Sequence, residues 1–164
     1  MNAVETGSAN APAPTTPTRS SGANASLLYL IKQVELASRA RLDELVAPHG
    51  ITTGQYTALT VLERHPGMTA AQLARHSFVR AQTMAQMVGY LEERRFIRRE
   101  RDRDIRRQNL IYLTPDAQSM LAELAVGVAA IERDMLAALS AAEVGGLRDA
   151  LRKCRIALDP AGSR

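Results

Sequence analysis

A short stretch near the middle of the 164-residue chain carries polar side chains that could read the base edges of DNA. Glutamine can form two hydrogen bonds with adenine, arginine can do the same with guanine, and threonine can contact the thymine methyl group. The polar residues alternate with apolar ones at the period of a helix. They are Arg80, Gln82, Thr83 and Gln86. We predict that these four side chains contact bases, although any exposed amphipathic helix shows a similar alternation.

Positive charge is concentrated in the same part of the chain. The whole sequence has a formal net charge of +4, whereas residues 67–113 hold ten arginines against five acidic residues. Within this region, residues 94–107 alone contain eight arginines. Such a concentration favours a polyanionic partner such as double-stranded DNA. A solvated surface without a partner is the alternative interpretation.

Helix-start signals and β-leaning runs predict the elements that position the polar residues. Capping boxes at Thr52–Gln55 and Thr69–Gln72 begin two helices. A turn over 76–79 then leads to the polar helix, which we place over about 80–94. Two β-leaning runs flank a polar hairpin tip at 102–107. This order of elements is typical of a winged helix-turn-helix, whose second helix lies in the major groove.

Apolar stripes at both ends of the chain predict further helices and a second copy of the protein. A first helix runs to about Val46, Thr114-Pro115 begins a long helix expected to include Leu139, and a third capping box begins at Ser140. The stripe from Val144 to Leu158 has the three-and-four spacing of a two-helix seam. We predict a homodimer, with packing of these stripes inside a monomer as the alternative.

The predicted fold is mainly α with a small β-hairpin wing (α+β), composed of a winged helix-turn-helix and a helical dimerisation region. The N-terminal segment is rich in Ala, Ser, Thr and Pro, which predicts disorder. The predicted divisions are a disordered tail at 1–25, a first dimerisation helix at 26–50, the winged helix-turn-helix at 51–113, C-terminal dimerisation helices at 114–158 and a tail at 159–164.

The predicted wing resembles that of the multiple-antibiotic-resistance regulator (MarR) family. Its sequence, Asp102-Arg-Asp-Ile-Arg-Arg107, is similar to the family pattern Asp-Pro-x-Asp-Arg-Arg, and Leu113-Thr114 follows as the family's Leu-Thr does. The resemblance covers roughly residues 26–158. It departs at Ile105, where the family has its second acid, and at Arg95, where the family has a glycine after the recognition helix.

The resemblance implies a homodimer that binds a palindromic DNA operator, usually as a transcriptional repressor, and is released by a small, often aromatic, anion. It also implies an effector pocket between the first two helices and the long fifth helix, and we predict that Tyr29 and Tyr56 line it. Contacts to the DNA backbone, from the preceding helix and turn and from the wing, are predicted for Thr69, Gln72, Ser77, Arg103, Arg106 and Arg107.

Other classes of protein have less support. One cysteine excludes a disulfide framework and a zinc finger, and we expect Cys154, on the last apolar stripe, to be buried rather than a redox sensor. No paired catalytic groups or cofactor motif occur, so we predict neither an enzyme nor a cofactor. No apolar run approaches the ~20 residues of a membrane span, which predicts a cytoplasmic protein without membrane contact. A helical dimer whose arginines bind an acidic partner protein remains the alternative function.

Overall fold

The computed structural model describes residues 25–102, Ile105 and residues 108–158. These residues form six α-helices and one antiparallel hairpin, which confirms the predicted mainly α fold with a small β element. The elements are α1 (Leu27–Val46), α2 (Thr53–Arg64), α3 (Ala70–His76), α4 (Ala81–Glu93), β1 (Ile97–Arg101), β2 (Asn109–Leu113), α5 (Pro115–Leu136) and α6 (Ala141–Leu158). Of the predicted tails at 1–25 and 159–164, residues 1–24 and 159–164 lie outside the described residues, as do Arg103, Arg106 and Arg107.

The predicted capping boxes begin the two helices in front of the polar helix. At α2, the Gln55 amide donates to the Thr52 hydroxyl over 3.2 Å, and the Thr52 amide donates to the Gln55 side chain over 2.9 Å. Thr69 and Gln72 form the same reciprocal pair at α3. These bonds satisfy amides that would otherwise lack partners in the first turn of each helix. The positions of both helices therefore follow from local sequence.

The hydrophobic core lies beneath the helix-turn-helix. Side chains from α2, α3, α4 and the hairpin meet there, and the first half of α5 covers them. Its fully buried members include Leu59, Leu62, Leu73, Met84, Val88, Leu91 and Ile111. Met87, Tyr56 and Phe96 pack against this core but are only partly buried. Close packing of this aliphatic core holds α4 against α2 and α3.

Helix α1 meets α5 only through its C-terminal half. There Arg41 donates to Asp134 over 2.7 Å, and Leu45 packs directly against Gly127. The N-terminal turns of α1 expose their apolar side chains, with Leu27 and Leu28 about three-quarters exposed. In spite of these apolar surfaces, none of the helices in the described ranges is long and apolar enough to cross a membrane.

Two expectations about the C-terminal helices are wrong for the single chain. Helix α5 ends at Leu136, before Leu139, because the Ser140–Glu143 capping box already begins the next helix. Helix α6 buries none of its residues, and Cys154 is exposed rather than buried. The physical reason is that, among the described residues, the stripe faces only the end of α5 across an open cleft, which leaves its side chains exposed. Burial of this stripe therefore requires a partner surface.

Candidate nucleic-acid interface

The turn between α3 and α4 reverses the chain without a glycine. Helix α3 ends in a Schellman arrangement, in which the Val79 amide donates to the Ala74 carbonyl over 3.1 Å and the Phe78 amide donates to the Arg75 carbonyl over 3.3 Å. Phe78 adopts the left-handed φ of 56° that this arrangement requires. Arg80 is extended and caps α4. The two helices thus form a helix-turn-helix with a tight, hydrogen-bonded connection.

Helix α4 separates its side chains into a buried face and an exposed face. Met84, Val88 and Leu91 are buried in the core. The four predicted base-contacting residues lie in the N-terminal half of the helix or at its cap and are all exposed, namely Arg80, Gln82, Thr83 and Gln86. The geometry therefore presents a polar surface at the end of the helix that enters the major groove in helix-turn-helix proteins.

The predicted backbone-contacting residues before α4 have different surroundings. Thr69 and Gln72 lie at the N-terminus of α3, where their side chains bond to each other and cap the helix. Ser77, in contrast, is buried as the C-cap of α3, and its hydroxyl has no hydrogen-bond partner among the described residues. A buried hydroxyl cannot reach a phosphate, so this geometry does not support the prediction for Ser77.

The arginines of the positively charged region, in the wing and before α4, divide into those that form an ion pair and those that do not. The strands pair from Ile97 opposite Leu113 to Arg101 opposite Asn109. Arg98 forms an ion pair with Glu100 and lies 4.9 Å from the Tyr112 ring centroid, and Arg99 forms an ion pair with Glu92 over 2.9 Å. Within the part of the chain that the structure describes, Arg75, Arg80 and Arg101 are exposed and have no ion-pair partner. Sequence reasoning missed Arg75 and Arg101, although both belong to the positively charged region.

Two hydrogen bonds tie the C-terminal end of α4 to the junction between α1 and α2. The Tyr90 hydroxyl donates to the Gly50 carbonyl over 2.7 Å, and Arg94 donates to the His49 carbonyl over 3.2 Å. The recognition helix is therefore held at a fixed orientation relative to α2.

A second Schellman arrangement connects α4 to the wing. The Arg95 amide donates to Glu92 and the Phe96 amide donates to Leu91, each over 2.9 Å. Arg95 has a left-handed φ of 59°, which explains why the family has a glycine here. The Thr114 hydroxyl donates to the Arg95 carbonyl over 2.7 Å. These bonds position the base of the hairpin against the end of α4.

The two predicted effector residues, Tyr29 and Tyr56, differ in burial. Tyr29 is exposed in the first turn of α1, about 26 Å along that helix from its C-terminal end. Tyr56 is partly buried at the start of α2, and burial raises the pKa of its hydroxyl. An apolar cleft lies between α5 and α6, lined by Met135, Leu136, Val144, Leu147 and Leu151. That both tyrosines line one effector pocket stays a prediction.

Metal-binding side chains do not form a complete site in the described ranges. The rings of His65 and His76 lie 5.6 Å apart at the ends of α2 and α3. No group of three or more His, Cys, Asp or Glu side chains among the described residues could hold a metal ion.

Taken together, the helix-turn-helix, its exposed polar face and the adjoining hairpin define a winged helix-turn-helix protein. The sequence model described as MarR family matches residues 49–108. A candidate transcriptional regulatory protein for the hcr operon of Thauera aromatica is 30% identical over 109 residues, which cover 66% of each chain. The chain belongs to the MarR family.

Further relatives agree with this assignment. HTH-type transcriptional repressor Rv2887 of Mycobacterium tuberculosis is 33% identical over 70 residues, which cover 43% of this chain and 50% of the repressor. The structure of Rv2887 in complex with salicylic acid has a TM-score of 0.64 at 27% identity and covers 80% of this chain and 97% of that one. A mutant of Escherichia coli MarR complexed with operator DNA shares the fold, with a TM-score of 0.71, 22% identity and coverage of 78% and 92%. The sequence matches thus span about two thirds of the Thauera protein and half of the repressor.

Proposed function

We propose that the protein is a homodimeric, sequence-specific DNA-binding transcriptional regulator. The observation that carries this proposal is the exposed polar face at the N-terminal half of α4, flanked by exposed arginines. The solved complex of Escherichia coli MarR with operator DNA supports it, since that protein has the same fold. Because the ligand would be chromosomal DNA, we place the protein in the cytoplasm and assign it no enzymatic activity.

The proposed dimer uses the helices that the single chain leaves uncovered. Large apolar side chains are exposed on α1 and α6, including Leu27, Leu28, Ile31, Leu147 and Leu151. Covering them with a second copy removes apolar surface from water, which is the main favourable term in association. Residues 26–50 and 114–158 would then form the dimer, and residues 51–113 would bind DNA. Two-fold symmetry would present two α4 helices to half-sites about 34 Å apart.

The proposed interface divides into base contacts and phosphate contacts. Base contacts are assigned to the exposed face of α4, namely Arg80, Gln82, Thr83 and Gln86. Phosphate contacts are assigned to Thr69, Gln72 and the wing arginines Arg103, Arg106 and Arg107, with Arg75 and Arg101 added from the structure. Phosphate contacts supply affinity for any sequence, whereas base contacts discriminate between sequences.

The decisive experiment compares Gln86→Ala with Arg101→Ala on operator and random duplexes over a range of salt concentrations. Gln86→Ala should relax specificity at one base pair and cost ~1–3 kcal/mol there. Arg101→Ala should weaken binding to all sequences alike and reduce the salt slope by about 0.9 for each phosphate that is no longer neutralised. Gln118→Ala is the matched control, because Gln118 is an exposed glutamine on α5 rather than α4.

Two results would contradict this assignment. If Gln86→Ala lowered the affinity for every sequence equally, the exposed face of α4 would not be the base-reading surface. If the wild-type protein showed no preference for promoter DNA over random DNA, the chain would instead be a helical module that binds an acidic partner.

We further propose that the regulator is a repressor released by a small aromatic or anionic effector. Rv2887 is named a repressor and is solved with salicylic acid. The solved structure of Bordetella bronchiseptica BpsR, a protein of the same fold, is described as a mechanism for regulation of its DNA binding by 6-hydroxynicotinic acid. Adding salicylate to a protein–operator complex should raise the apparent Kd. An unchanged Kd at millimolar salicylate, benzoate and 6-hydroxynicotinate would contradict release by this class of compound.

A further inference from the structure

Phe78 is an aromatic residue at a position where neither the backbone conformation nor the exposure favours one. Its side chain is 76% exposed and lies outside the hydrophobic core. Its backbone is left-handed, with φ at 56°, although aromatic residues rarely adopt this region and glycine occupies it freely. A glycine would suit the backbone and a polar residue would suit the surface. Phe78 satisfies neither requirement, which suggests a function for the ring.

The ring lies beside the end of α4 that the proposed function inserts into the major groove. Phe78 precedes Arg80, the N-cap of α4, by two residues. The amides of Phe78 and Val79 both donate to carbonyls of α3, so the turn is held in place. Residues at the start of a recognition helix contact base edges, so a side chain in this turn lies at the rim of the groove.

The charges around the ring favour DNA over another kind of ligand. Arg75 and Arg80 are exposed on either side of Phe78 in the sequence, and neither has an ion-pair partner within the described residues. An apolar ring flanked in the sequence by two cations suits a polyanion that also carries an apolar group. In the major groove, the C5-methyl group of thymine is such a group, and phenylalanine is one of the side chains that contact it.

We infer that Phe78 is a further specificity residue that contacts a thymine methyl group at the edge of each operator half-site. This inference rests on the proposed function, because it requires α4 to lie in the major groove. It adds a base contact from the turn to those assigned to the polar face of α4.

The test replaces each thymine of the operator in turn by deoxyuridine, which removes only the methyl group. For the full-length wild-type protein, one position in each half-site should lose about fourfold in affinity, the value expected for one buried methyl group. Phe78→Ala should bind thymine and uracil equally at that position and keep the wild-type preferences elsewhere. Glu63→Ala is the control, since Glu63 is exposed on α2 and is assigned no contact with DNA or with the second copy.

A second variant separates this role from an effect on folding. Phe78→Gly relieves the left-handed backbone, so its melting temperature should equal or exceed that of the wild type, while its thymine preference is abolished. The inference is overturned if Phe78→Ala keeps the wild-type ratio of affinities for the thymine and uracil operators. An equal loss of affinity for both operators is one form of this result and would indicate a contact to the DNA backbone. The inference is also overturned if no thymine position is sensitive in the wild type. If the wild-type protein still prefers operator DNA and Gln86→Ala still relaxes specificity, the proposed function remains intact. If the wild-type protein shows no operator preference at all, both the proposed function and this inference are refuted.

Discussion

Replacing Arg95 by glycine should stabilise the protein. Arg95 occupies the left-handed position after α4, with φ at 59°, and this conformation costs a residue with a Cβ atom ~1–2 kcal/mol. The backbone hydrogen bonds of Arg95 and Phe96 to α4 do not depend on the side chain and would remain. Glycine has more conformational freedom to lose on folding, which offsets ~0.5–1 kcal/mol. The expected net gain therefore lies between zero and ~1.5 kcal/mol in the free energy of unfolding.

Urea denaturation at a fixed protein concentration measures this gain, because the stability of a dimer depends on concentration. Thermal melts should show a rise of about 2–4 °C for each kcal/mol. Arg95→Ala is the control, since it removes the same side chain but keeps a Cβ atom in the left-handed position. If alanine and glycine stabilised the protein equally, relief of charge repulsion among the arginines would be the cause. That result would refute the argument from backbone conformation.

Two further predictions concern the contact between α1 and α5. Gly127→Ala should stabilise the protein less than Gly89→Ala, because its new Cβ atom would lie 2.5 Å from Leu45 Cδ1 and the Leu45 side chain must move, which offsets the gain of ~1 kcal/mol in helix propensity. At Gly89 the new Cβ atom meets nothing within 4 Å, so the gain should appear in full in the same thermal melts. Equal gains for the two variants would contradict this reasoning. The Arg41 hydrogen bond lowers the pKa of Asp134, so the pair stabilises the fold above the unfolded pKa of about 3.8 and this contribution disappears as the pH falls through the folded pKa. An NMR titration of Arg41→Ala should find the Asp134 pKa raised, and an unchanged pKa would contradict the assignment.

Local signals in the sequence predict most of the fold correctly. Thr52, Thr69 and Thr114 each begin a helix at the expected position, because a cap depends on residues within one turn. The alternation along α4 likewise predicts which side chains are buried. The MarR resemblance, based on the wing, is confirmed by the family match.

Features that depend on distant contacts could not be predicted in this way. Ser77 is buried because α3 and α4 pack around the end of α3, which its residue type does not indicate. Tyr29 is exposed because the N-terminal turns of α1 lie outside the core. The exposure of Cys154 follows from the position of α6 relative to the rest of the chain. Phe78 carries no sequence signal for its left-handed backbone, since neither it nor its neighbours are glycine.

The attachment of α4 to the junction before α2 has a consequence for mutational tolerance. Tyr90 and Arg94 both donate to main-chain carbonyls, so the identity of the side chain at position 49 does not affect either bond. Position 50 differs, because its φ is 68° and a Cβ atom there would lie 2.9 Å from the Arg94 guanidinium. Substitution should therefore cost more backbone strain at Gly50 than at the adjacent His49.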